Sequence, residues 1–170
     1  MANSLNYNFD KVKKIITMKS NYILYLVFSI LTGITYGQND NYQQLKAEKI
    51  ENGSVFTKII NRELPATIVY EDNEIIAFVP LRTQAPVHLL IVPKKEIYTI
   101  NDITEDDTLL LGKMFLVAKK LAKEKGISET GYRLSMNINE DAGQSVFHLH
   151  MHLLGGGKLG PMVYPANNTN

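Results

Sequence analysis

The chain has 170 residues, a net charge of +1 and no cysteine. That length suits one domain with an appendage. The near-balanced charge, without a basic stripe, argues against nucleic-acid binding, and the missing cysteine excludes disulfides and thiolate metal sites.

The first 52 residues differ in character from the rest. Lys11, Lys13, Lys14 and Lys19 precede Tyr22 to Ile34, an uncharged apolar run. The run is shorter than the roughly 20 apolar residues a membrane-crossing helix needs, and suits a signal-peptide core. Thr35-Tyr36-Gly37 offers small residues where a signal peptidase would read, with Gln38 as the new N-terminus. Residues 1–37 are therefore expected to be an export leader, placing the domain in a periplasm or outside the cell. Met18 is an alternative start. A retained anchor, whose membrane contact is confined to residues 22–36, and an incidental helix of a cytoplasmic protein are the other readings. Residues 38–52 are polar and read as a linker with a helical turn or two, and residues 166–170 read as a disordered tail.

From residue 53 to 165 the signals are dense. Ser54 can cap a short helix carrying Val55, Phe56, Ile59 and Ile60 at helical spacing. Thr67 to Tyr70 and Ile75 to Val79 are β-rich runs joined by Glu71-Asp72-Asn73, and Val87 to Val92 is a third strand. Glu105 to Lys125 is the one long helix, opened by Thr104 with Asp107 three residues on and closed by Gly126. Leu110, Met114, Val117 and Leu121 make its buried stripe, widened by Leu111, Ala118 and Ala122. Tyr132 to Asn137 is a fourth strand. The pattern predicts an α+β fold, an antiparallel sheet with one long and one short helix.

The stretch GQSVFHLHMHLLGG, Gly143 to Gly156, holds three of the four histidines at alternate positions. On a β-strand, His148, His150 and His152 would line one face while Phe147, Leu149, Met151 and Leu153 fill the other. Three uses fit that row. It can be structural; it can present imidazoles to zinc, completed by His88 or a carboxylate; or it can act on phosphorus. A neutral imidazole is both a nucleophile and an acid–base group near its ordinary pKa of about 6.5. Gly143-Gln144-Ser145, just before, offers backbone N–H groups, an amide and a hydroxyl to an anionic oxygen.

These residues resemble the signature of the histidine triad (HIT) family, His-φ-His-φ-His-φ-φ with φ apolar. The likeness runs through VFTKIINRELPATIVYEDNEIIAF, QAPVHLLIVPKK and GYRLSMN, from about Val55 to Met162, and is greatest to the Hint branch of purine nucleoside phosphoramidases. His152 stands where the nucleotidyltransferase branch has glutamine, which implies hydrolysis. The resemblance implies a HIT-like fold, a homodimer, no cofactor and no metal. It implies that His150 attacks the α-phosphorus of a nucleoside 5′-phosphoramidate, forming a nucleotidyl-histidine that water releases. It further implies that His148 and His152 bind the phosphate and move the proton the leaving amine needs, supported by His88, and that Ser145 meets the phosphate or the leaving group. Gly143 and Gln144 would border it and Asn137 would lie on the ribose and phosphate side. Val55, Phe56, Ile59, Leu64 and Phe78 fall where the family forms its base pocket; ordinary core is the other reading of them. Two positions depart: Pro80 stands where Hint proteins hold the ribose hydroxyls with aspartate, and Glu96 where a histidine is frequent. A dinucleoside polyphosphate hydrolase and a nucleotide-binding module with little turnover remain the alternatives.

Overall fold

The computed structural model describes residues 41–161, so the expectations for the leader, for Met18 and for the tail lie outside the described residues. Residues 41–51 form a helix, α1, where a linker with a turn or two was expected. Of the described residues, 48–161 belong to one compact unit.

The short helix α2, Val55–Ile60, begins where the cap predicts: Ser54 is extended, and its side chain accepts from the Thr57 N–H. Strands β1 (Thr67–Glu71), β2 (Ile75–Val79), β3 (Val87–Pro93), β4 (Tyr132–Ser135) and β5 (Met151–Gly155) form one sheet in the order β1-β2-β3-β5-β4. Every neighbouring pair is antiparallel. Asp72 closes the first hairpin, its carboxylate accepting from the N–H groups of Glu74 and Ile75, both at 2.8 Å.

The long helix α3, Thr108–Glu124, is preceded by a 3-10 turn at Glu105–Asp107, so it starts later than the spacing suggested. Asp107 accepts from the Thr104 N–H at 3.0 Å and from its hydroxyl at 3.1 Å, completing the expected capping box one turn earlier. At the other end Gly126 takes a positive φ of 69°, and the Ile127 N–H reaches back to the Ala122 carbonyl at 2.9 Å.

The sheet is covered on both faces, which explains why IIAF and HLLIV are continuous apolar runs rather than alternating ones. Ile75, Ala77, Leu89, Ile91, Met151 and Leu153 pack with Leu110, Met114, Val117 and Leu121 of α3. The alternate residues, Ile76, Phe78, Leu90 and Val92, pack with Phe56 and Ile59 of α2.

Two strand expectations need correction. β4 ends at Ser135, leaving Met136 and Asn137 outside it. The histidine segment is a strand only from Met151, so His148 and His150 precede it and the three imidazoles do not stand in one pleated row. The cause lies in β3. Its ladder with β5 reaches only Ile91 opposite Met151, and Pro93 has no N–H to extend a ladder. The Pro93 carbonyl is taken instead by the His148 ring, and the Leu149 N–H turns to Ile97 O at 2.6 Å.

Candidate active site

The α2 face of the sheet gathers the four histidines. His152 pairs with Leu90, and His88 with Leu154, in the β3–β5 register. His88 and His152 are thereby diagonal neighbours, and their rings join through His88 Nε2 and His152 Nδ1 at 2.9 Å. The His150 ring lies 5.1 Å from that of His152 and 5.1 Å from the edge-on ring of Phe56.

The hydrogen bonds assign the tautomers. Backbone carbonyls can only accept, so the 2.7 Å contact from His150 Nδ1 to the His148 carbonyl places the proton on Nδ1. The neutral ring then carries a bare lone pair on Nε2. The Gln84 N–H donates to His88 Nδ1 at 3.1 Å, which leaves the His88 proton on Nε2, donated to His152 Nδ1. His152 therefore holds its proton on Nε2, a buried atom without a hydrogen-bond partner among the described residues. A lone pair and an unpaired N–H thus sit on adjacent rings, the arrangement a nucleophile and a proton donor require.

His148 does something different. Its Nε2–H donates to Pro93 O at 2.7 Å, while Nδ1 accepts from the Ser54 hydroxyl at 3.2 Å; Thr57 Oγ1 lies 3.3 Å from the same nitrogen and gives its own proton to Glu96 Oε1 at 3.2 Å. Both ring nitrogens are occupied by protein and the ring is buried. The expectation that its imidazole binds phosphate is corrected: its backbone carbonyl orients His150, and its side chain anchors that carbonyl.

Gln144 likewise has no free amide atom to offer an anionic oxygen. Its Oε1 accepts from the Asn139 N–H at 2.9 Å, and its Nε2 donates to Tyr98 O at 2.8 Å and Val146 O at 3.2 Å. The buried amide is fully used in shaping the loop from Asn139 to Val146. Gly143, at φ 71°, turns that loop, and Ser145 stands exposed at its end. Asn137 is half-buried two residues past Ser135, which pairs with His152. Phe56, Ile59 and Phe78 are buried in one cluster, with Phe56 edge-on to His150, whereas Val55 and Leu64 are each 39% exposed. Pro80 follows β2 directly and is half-buried.

No three His, Asp or Glu side chains among the described residues converge so as to hold a metal ion. The zinc reading meets the further difficulty that His148 has no free ring nitrogen. Ser54 and Thr57 are site-supporting residues that sequence reasoning missed, because a helix cap explains Ser54 completely. Gln84 and Pro93 act through backbone groups, which side-chain patterns do not reveal.

Burial lowers the proton affinity of His88, His148 and His150 below the ordinary imidazole value. Burial, with the neighbouring His150 and His88, pushes His152 down to about 4. All four rings are therefore neutral at pH 7. Between pH 6.5, the ordinary imidazole value, and about 4 the unfolded chain binds protons that the folded His152 refuses, so stability falls as pH falls through that window. A Tm series from about pH 7.5 to 4.5 should drop across that range, and His152→Gln should flatten the drop. A wild-type Tm independent of pH there would contradict the assignment.

Residues 61–159 match the family model described as the HIT domain. A purine nucleoside phosphoramidase of Escherichia coli (strain K12) is 51% identical over 110 residues, which are 65% of this chain and 92% of that protein. Among solved structures, a HIT family hydrolase from Legionella pneumophila Philadelphia 1 is 54% identical, with a TM-score of 0.61 over 62% of this chain and 95% of its own. A HIT family hydrolase from Clostridium thermocellum is 48% identical, with a TM-score of 0.63 over 66% and 97%. With the sheet order, the histidine cluster and these likenesses in agreement, the chain belongs to the HIT family and is one of its hydrolases.

Proposed function

We propose that this protein hydrolyses nucleoside 5′-phosphoramidates, or related adenylylated compounds, without a metal ion, through a nucleotidyl-histidine at His150. The observation that carries the reading is the His150 tautomer. Its Nδ1–H is held by the His148 carbonyl at 2.7 Å, which leaves Nε2 unprotonated and available to attack. The phosphoramidase among the relatives supports the same chemistry.

In the first step His150 Nε2 bonds to the α-phosphorus and the bond from phosphorus to the amine nitrogen breaks. The amine must leave with a proton. The His88–His152 pair titrates as a unit. A bound phosphate anion raises its proton affinity, so it takes one proton from solvent at His88 Nδ1, which gives up the Gln84 N–H, and passes one from His152 Nε2 to the departing nitrogen. Water then attacks phosphorus, the pair receives its proton, and the bond to His150 breaks to release a nucleoside monophosphate. Ser145 borders the leaving group and Asn137 the sugar and phosphate. Phe56, which packs edge-on against His150, and its cluster neighbours Ile59 and Phe78 are the apolar wall for a purine.

The Pro80 side chain offers no acceptor to ribose hydroxyls, so sugar selection is weak. With EDTA present, the full chain should turn over adenosine 5′-phosphoramidate and its 2′,3′-dideoxy analogue at similar rates. Absence of turnover by folded protein would contradict the hydrolytic reading and favour a nucleotide-binding module. Faster cleavage of dinucleoside polyphosphates would move the substrate to that class.

The active form is a homodimer. β4 is an edge strand, and Leu109, Phe115 and Leu116 on α3 and Tyr132 on β4 are exposed apolar groups that a second copy can cover. Sedimentation at the monomer mass would contradict this.

A further inference from the structure

The step from α1 to α2 is short and well specified. The Asn52 N–H donates to Glu48 O and the Gly53 N–H to Ile50 O, both at 3.0 Å. Gly53 then takes a φ of 69°, a left-handed conformation that glycine adopts without a Cβ penalty. Ser54 follows at once, and its hydroxyl lies 3.2 Å from His148 Nδ1. The last turn of α1 is therefore tied to the histidine cluster through a few fixed residues.

Lys49 sits on that turn. Its ammonium donates to the Ser145 carbonyl at 3.4 Å and lies 6.0 Å from the centroid of the Phe147 ring. An ammonium has three donors and this contact uses one, so an exposed positive charge remains beside Ser145. Glu140 and Asp141, exposed on the turn preceding Ser145, carry the opposite sign. Lys49 lies ahead of the matched domain, which starts at residue 61. The charge is contributed by α1.

We propose that Lys49 is a specificity residue that favours substrates whose leaving amine bears a negative charge, such as the carboxylate of an amino acid joined to phosphorus through its amine. The proposal rests on the reading above that Ser145 borders the leaving group. An ammonium held at that position attracts a carboxylate on the departing group and leaves a neutral one unaffected, while Glu140 and Asp141 would repel the carboxylate if Lys49 were absent.

The test compares two adenosine 5′-phosphoramidates of one amino acid on the full chain, one with its carboxylate free and one with it as the primary amide. The readout is the ratio of their kcat/KM values on the same enzyme, so a general loss of fold or activity cancels. Lys49→Met should lower the ratio of carboxylate to amide by about two- to fivefold, the range of an exposed ion pair. Lys49→Glu should lower it further, Lys49→Arg should keep it, and high salt should compress the differences. An unchanged ratio in Lys49→Glu would overturn the proposal. No turnover of either substrate by the wild type would instead overturn the phosphoramidase reading, and this proposal with it.

Discussion

His150→Ala is expected to lower kcat for adenosine 5′-phosphoramidate by at least about 10⁴-fold, because the variant has no atom to form the covalent intermediate. The loss should not be one of folding. The bond it removes is a local one, from Nδ1 to the carbonyl two residues back, while the strand that follows keeps its pairing with β3. Far-UV circular dichroism and a cooperative thermal transition should accordingly survive. His148→Ala should behave differently. It retains the backbone carbonyl that orients His150 but removes the ring that fixes it to Pro93, Ser54 and Thr57. Residual turnover accompanied by a lower Tm in that variant, against a stable but inactive His150→Ala, would separate the anchor from the nucleophile. Equal and complete loss in both, with both stable, would contradict the division.

Phe56→Ala carries the largest expected cost in stability. The ring is buried, packs edge-on against Phe78 at 5.4 Å and against His150 at 5.1 Å, and belongs to the cluster between α2 and the sheet. α2 has only six residues, too few to hold itself without tertiary packing, so the helix depends on Phe56 and Ile59. Truncation should cost about 3–4 kcal/mol, lowering Tm by on the order of 15 °C. Phe56→Leu should cost about 1 kcal/mol and still fold. That milder variant tests the second use of the residue: KM for a purine substrate should rise more than kcat falls. An unchanged KM would reduce Phe56 to core.

The histidine cluster was legible before the fold because the alternation of imidazole and apolar residues requires two faces, and a packed interior explains only one of them. The strand expected to carry all three imidazoles carries only His152. Alternation does not report where a ladder stops, and here it stops because Pro93 on the neighbouring strand cannot donate. The roles of His148 and Gln144 were hidden for a related reason. Each looked like a ligand-facing polar group, yet Gln144 spends its amide on backbone groups of Tyr98, Asn139 and Val146, and His148 spends its ring on the Pro93 carbonyl and the hydroxyls at Ser54 and Thr57; no spacing within one segment reveals those partners. The start of α2 and the stripe of α3 were read correctly because caps and helical periodicity are local. Lys49 was passed over as part of a polar linker, since its charge gains meaning only beside Ser145, far along the chain.

The stereochemical course at phosphorus tests the central claim most directly. Attack by His150 followed by attack of water is two in-line displacements, so a P-chiral nucleoside phosphorothioamidate hydrolysed in isotopically labelled water should yield product with net retention. Net inversion would mean that water attacks phosphorus directly, and would contradict a nucleotidyl-histidine at His150.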